Sequence, residues 1–235
     1  MIHFLTIAVA IWVLKYLMER FQQSRALVFI TGIVGVPLHE LGHYLMCKLV
    51  GFKVTEVKLF QIPTQDNPVL GYVNYEYPTS ISGSIRKVMV SIGPIFSGII
   101  ALYLLSPQVT PYLFNNSSID LALFFMNKAG WQQWILIWVL SSITLHMLPS
   151  LTDIKIAITG SLWIGVFTYV GLIYAASHTT TVLSSVNVYL EEMANLMSVG
   201  AIIATVPVAI TLLQYFFSTM SSRMYNKSVN SLKRD

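Results

Sequence analysis

The chain has very little charge. Only 10% of its 235 residues are Asp, Glu, Lys or Arg, while 55% are apolar. Soluble domains carry about 25% charged residues. The deficit excludes a water-facing surface of ordinary composition and leaves no room for an additional soluble domain of usual size. Cysteine is almost absent too. With Cys47 as the single thiol, no intramolecular disulfide can form. The net charge of +4 is small, and the basic residues gather at the ends of apolar runs. They read as topology determinants, so no nucleic-acid partner is expected. Internal repeats and low-complexity tracts are missing. No cleavable signal peptide is evident, because no basic region precedes the first apolar run and no small-residue cleavage site follows it.

Long apolar runs fill the rest. Six are candidate spans: Ile2–Met18, Ala26–Val50, Val88–Leu105, Trp131–Leu148, Ile154–Ala176 and Leu196–Phe217. The expected fold is an α-helical polytopic membrane protein with about six transmembrane helices. A single membrane-embedded domain covers residues 1–217, with its core at 26–176, and 218–235 form a basic, mobile tail. Between the second and third runs the texture changes. Lys53–Ile62 reads KVTEVKLFQI and Gly71–Tyr77 reads GYVNYEY, with Pro63, Asn67 and Pro68 between them. Alternation and β-branching predict a β-hairpin or small sheet at the membrane edge. A short helix is expected at Ile119–Lys128, and Val182–Asn195 has the weak amphipathicity of an interfacial segment.

Six spans would put both termini on one side. That side then holds Lys48, Lys53, Lys58, Arg86, Lys87, Lys155, Arg223, Lys227, Lys233 and Arg234, ten basic residues. The other side holds four, Lys15, Arg20, Arg25 and Lys128. The excess favours cytosolic N- and C-termini in a bacterial-type cell membrane.

Residues 39–43 read His-Glu-Leu-Gly-His inside the second run. On a helix, His39 and His43 lie one turn apart on the same face, where both imidazoles can reach one zinc ion. Glu40, beside that face, is placed to take a proton from a zinc-bound water. Zinc hydrolases use three protein ligands and keep one position open. Asp153, behind Pro149 at the end of the fourth run, falls at the matching depth and is the leading third ligand; its alternative role is as a helix cap. His146 is the rival, either as a ligand or as a hydrogen-bond donor to a developing oxyanion. Glu191 and Glu192 are distal possibilities on the opposite side. His3 and His178 look like boundary residues, and Asp120 sits in the outer loop. Cys47 is two turns beyond His39, about 12 Å along the helix, too far to share its metal, and reads as a packing residue. Pro94 in Gly93-Pro94 should kink the third run, and Gly93 and Gly98 allow close helix approach.

The motif and its sequel resemble the site-2 protease family of intramembrane zinc metallopeptidases. The likeness is carried by His39-Glu40-Leu41-Gly42-His43, Leu49-Val50-Gly51-Phe52-Lys53-Val54 and Phe60, then by Gly71-Tyr72-Val73, Ser91-Ile92-Gly93-Pro94, and Leu148-Pro149 with Asp153. It spans about residues 30–160 of the sequence. His146 stands where the family carries Asn, the Pro-to-Asp interval is one residue shorter, and Ile154 replaces the family's Gly. No PDZ insertion and no nucleotide-sensing domain is present. The resemblance implies zinc, with Glu40 activating water against peptide bonds of transmembrane or membrane-associated segments, and a substrate added as a strand to the β-edge. Two other functions share these residues: a non-proteolytic membrane chaperone with a retained metal site, and a transporter with an intramembrane ion path.

Overall fold

A computed structural model describes residues 2–21, 26–64, 67, 69–109, 111, 114–115, 118–119, 130–178 and 180–232. In chain order the elements are α1 (Ile2–Phe21), α2 (Ala26–Leu49), β1 (Lys53–Lys58), β2 (Tyr72–Glu76), α3 (Ile81–Ser91) and α4 (Gly93–Leu105). They continue with β3 (Phe114–Asn115), β4 (Ser118–Ile119), α5 (Trp131–His146), α6 (Leu151–His178) and α7 (Thr180–Leu232). Each of the six apolar runs is helical. Among the described residues, three stretches are long and apolar enough to cross a membrane: Ile81–Gln108, Trp131–Ile158 and Asn187–Ser222. Ile2–Met18 is a shorter apolar helix. Three such stretches, rather than six, are therefore established.

Trp131–Ile158 merges the expected fourth span with the start of the fifth. The contacts show why. Gly98 of α4 faces Met147, and Leu102 and Thr144 meet at Gly200, so α5 runs antiparallel to α4. Gly160 of α6 faces Ser84 and Val88 of α3, while Asp153 lies beside His43, which bonds Val90. Thus α6 is antiparallel to α3, and α5 and α6 run in the same direction instead of doubling back. α1 and α7 pack side by side and parallel: His3 Nδ1 is 3.0 Å from Glu191 Oε1 near the start of α1, and the Phe21 and Tyr215 rings meet at 5.1 Å near its end. The six-span expectation required these two helices to be antiparallel.

Further differences concern the C-terminal region. α7 continues unbroken to Leu232, so the expected mobile tail is helical over most of its length, and residues 233–235 lie outside the described part. Val182–Asn195 belongs to the same helix rather than to a separate interfacial one. The helix expected at Ile119–Lys128 lies outside the described residues except for Ile119, which pairs in β4.

The hairpin forms as expected, antiparallel from Lys53↔Glu76 to Lys58↔Tyr72 with an irregularity at Val54–Glu56. Its connection packs back along α2. Phe60 packs on Phe29 with ring centroids 5.7 Å apart, Leu70 covers Gly32, and Gly71 rests on Val36 and Glu40. Phe52, at the hairpin's base, packs with Cys47. The connection therefore climbs α2 from Cys47 to Phe29, about 27 Å of helix. An apolar environment tolerates such a segment only if its backbone is satisfied internally. Gln61 supplies much of this: its N–H donates to Leu70 O (2.7 Å) and its side-chain Nε2 to Val69 O (2.8 Å). At the tip, Thr64 N–H donates to Asn67 O (2.9 Å), and Asn67 N–H to Thr64 Oγ1 (3.0 Å).

The main core lies among α1, α4, α5 and α7, where Ile11, Leu102, Leu140 and Met197 are fully buried. Cys47 is fully buried against Phe52 and Val90, in keeping with a packing role.

Candidate metal centre

Two histidines one turn apart on α2 and one aspartate at the start of α6 converge on a point. His39 Nε2 and His43 Nε2 are 3.1 Å apart. Asp153 Oδ2 is 3.4 Å from His39 Nε2, and Asp153 Oδ1 is 3.2 Å from His43 Nε2. Among the described residues this is the one cluster of His, Cys, Asp or Glu able to hold a metal ion. A tetrahedral ion with ligands at roughly 2.0–2.1 Å has ligand–ligand edges of about 3.3–3.4 Å. The observed separations approach those edges. His39, Glu40 and His43 are all buried.

The protons settle what the trio can be. His39 Nδ1 donates to His146 O at 2.6 Å, and His43 Nδ1 donates to Val90 O at 2.8 Å. In neutral rings the single proton is then on Nδ1 and both Nε2 atoms carry lone pairs; a second proton would make a ring an imidazolium paired with Asp153. With both rings neutral, three acceptors face one another at the start of α6. Such a cluster is stable around a cation and costly without one. The donor set, two imidazoles and a carboxylate, fits zinc with one position open.

Both carbonyls are available because of prolines. In a helix, the carbonyl of residue i is normally taken by the N–H of residue i+4. Val90 would be served by residue 94, which is Pro94 and has no N–H. The turn at Ile92 shares its N–H between Val88 O and Val90 O, and the second lone pair of Val90 O accepts from His43. His146 would be served by Ser150, but Pro149 ends α5 there and Ser150 N–H donates instead to Asp153 Oδ2 at 2.7 Å. The same device recurs outside the site. Pro207 lies inside α7, and the freed carbonyl of Ile203 accepts Ser141 Oγ at 3.3 Å.

Asp153 is fixed by a reciprocal cap. Ser150 Oγ donates to Asp153 Oδ2 at 2.6 Å, and Asp153 N–H donates back to Ser150 Oγ at 3.2 Å. Ser150, rather than Asp153, is thus the cap of α6, and Asp153 is its partner three residues on as well as the candidate third ligand. α3 reaches the site because α2 and α4 touch through glycine. A methyl group on Gly42 would lie 2.8 Å from the Gly93 carbonyl carbon and oxygen, so nothing larger fits between the helices.

His146 is placed differently from expectation. Its ring is not in the metal cluster; Nε2 lies 3.3 Å from Thr31 Oγ1 and the ring packs on Gly35. What it gives the centre is its main-chain carbonyl. A donor role toward an oxyanion would require the ring to leave Thr31. Glu191 pairs with His3, at the far end of α1, and Glu192 is exposed; neither joins the cluster. Asp120 lies outside the described residues, as does the side chain of His178. Sequence reasoning did not single out Val90 or Ser150. A proline four residues after Val90 was a visible signal for the first, and the Ser-x-x-Asp spacing for the second.

Comparison with known proteins finds no match: no family model, no curated protein and no solved structure.

Two measurements follow from this geometry. Pro94→Ala restores an N–H that competes with His43 for Val90 O, and is expected to lower zinc affinity by about 10–100-fold, the scale for a lost ligand-orienting bond. Chelator competition on the folded protein reads this; unchanged affinity would refute the role given to Pro94. Asp153→Ala is expected to lose bound zinc, whereas His146→Ala keeps its carbonyl and most of the metal. Elemental analysis of the two variants separates a His-His-Asp site from a His-His-His one.

Proposed function

We propose that this protein is an intramembrane zinc metalloendopeptidase of the site-2 protease type, hydrolysing peptide bonds in transmembrane or membrane-associated segments. The observation that carries the reading is the buried trio of acceptors, His39, His43 and Asp153, with Glu40 adjoining it on the same helix. Zinc held there would supply Lewis-acid polarisation of water and of the peptide carbonyl. Glu40 accepts a proton from the attacking water and delivers it to the leaving amine, so one water is consumed per bond broken. The carbonyls of His146 and Val90 hold the rings in the tautomer that presents Nε2. Gly71 lets the hairpin connection lie directly against the Glu40 side chain, which narrows the space beside the base and helps exclude water. A proton-path transporter is less well supported, because His39, Glu40 and His43 are adjacent on one helix, whereas the acids of a proton path tend to be dispersed among spans.

Glu40→Gln is expected to retain zinc and fold while cleavage of a membrane-embedded peptide falls by at least about a hundredfold. Cleavage that survives in this variant, or in protein stripped of zinc, would defeat the hydrolase assignment.

The packing also supports a revised path through the bilayer, with five crossings instead of six: α1, α2, α3–α4, α5–α6 and α7. The two chain ends then lie on opposite sides. Arg223, Lys227, Lys233 and Arg234 leave the first group of basic residues, and the ratio of ten to four becomes six to eight. The basic residues then no longer favour a cytosolic metal centre. Reporter tags at the N-terminus and after Asp235 are expected to be protected from protease on opposite faces; protection on the same face would restore an even number of crossings.

A further inference from the structure

Three cations gather where α2 ends and α3 begins. Arg86 Nη1 donates to Val50 O at 3.1 Å, just past the end of α2. One turn further along α3, Val90 O accepts from His43 of α2. The two helices are therefore antiparallel neighbours, and Lys48, Arg86 and Lys87 share one level. Each cation lies over an aromatic ring. Lys48 Nζ is 5.5 Å from the centre of the Tyr44 ring, the Arg86 guanidinium 5.1 Å from that of Phe52, and Lys87 Nζ 4.3 Å from that of Tyr77. The Phe52 and Tyr77 rings are 6.3 Å apart and both meet Tyr75, so Arg86 and Lys87 stand on one aromatic platform. A ring holds a cation in place without cancelling its charge. Among the described residues, no carboxylate pairs with any of the three, and Glu76 at the hairpin's end is engaged by Lys53 at 3.2 Å. Arg86 is further pinned by its Nε, which donates to Ser82 O at 3.3 Å.

One turn deeper, the same faces become apolar. Leu45, three residues before Lys48, and Met89, three residues after Arg86, are both exposed. α3 opens the stretch Ile81–Gln108, which is long and apolar enough to cross a membrane. Along that stretch positive charge comes first and exposed apolar surface follows. A phospholipid has the same order, a phosphate and then acyl chains. A small soluble anion would have no use for the apolar part. Tyr44 and Tyr77 add the amphipathic rings favoured at headgroup level.

We propose that Lys48, Arg86 and Lys87 form a binding site for the phosphate of an anionic phospholipid, whose acyl chains lie along Leu45 and Met89. The site does not depend on the hydrolase reading. It has a bearing on the metal centre through depth. Lys48 is about 7.5 Å along α2 from His43, so a headgroup held there fixes how far below the bilayer surface the two histidines sit.

The test uses the full chain reconstituted in phosphatidylcholine bilayers. Spin-labelled phosphatidylglycerol is compared with spin-labelled phosphatidylcholine, and the motionally restricted fraction gives the relative association of each. Phosphatidylglycerol is expected to be preferred by about fivefold or more, the scale for one or more cations at an anionic headgroup. Lys48→Gln and Lys87→Gln should each lower the preference, and together bring it close to unity. The paired Lys→Arg variants should keep it. Arg20→Gln removes a charge from the last turn of α1, which leads into the opposite end of α2, and should leave the preference unchanged. Circular dichroism equal to that of the parent verifies that each variant is folded. Equal association of the two lipids with the parent overturns the proposal, as does a preference that persists in the double Gln variant. A loss as large in Arg20→Gln would also overturn it, by assigning the effect to net charge. So would abolition of the preference by inorganic phosphate at matched ionic strength, which would mark a free-anion site.

Discussion

An imidazole has one proton to give, and where it goes decides what the other nitrogen can do. In this protein both metal-facing histidines spend that proton on a main-chain carbonyl, and the rest of the centre depends on it. The carbonyls are free only because a helix has been interrupted at the right residue. Prolines in buried membrane helices leave acceptors that neighbours must satisfy. Here the requirement is met by the two rings that would carry the metal. The cost of breaking α3–α4 and α5–α6 is offset by bonds that orient His43 and His39, so the irregularities of the fold and the order of the site have one origin.

Glycine complements proline in this scheme. The contact of Gly42 with Gly93 brings α3–α4 against α2 closely enough for the Val90 carbonyl to reach His43. Gly35, two turns before Gly42, makes room for the His146 ring, while Gly71 admits the hairpin connection beside Glu40. Small residues on α2 or facing it therefore set how near each neighbouring element can come. Packing without side-chain bulk is the usual way for membrane helices to approach. At this centre it brings backbone carbonyls, rather than side chains, to the ligands.

Much of this was legible in the sequence. The spacing of His39 and His43 needs only helical periodicity, and the hairpin strands follow from alternation. Asp153 could be placed by depth. What could not be read was direction and partner. Whether α5 and α6 double back or run on depends on how Pro149 is accommodated, and hydropathy is blind to that. The path of residues 59–62 and 69–71 along α2 was missed because the hydrogen bonds of Gln61 and Asn67 are pairings within a loop, not a periodic pattern.

The reciprocal bonds between Ser150 and Asp153 have a consequence for the metal-free protein. A surface carboxylate samples several rotamers and loses that freedom when it captures an ion. Asp153 has already surrendered it to the first turn of α6. The candidate third ligand is thus held in place by folding of the helix itself, and an arriving cation would meet a coordination shell whose ordering was completed beforehand. Release and recapture of an ion would then be exchange at a rigid socket, without the local melting and re-forming that a floppier ligand would impose.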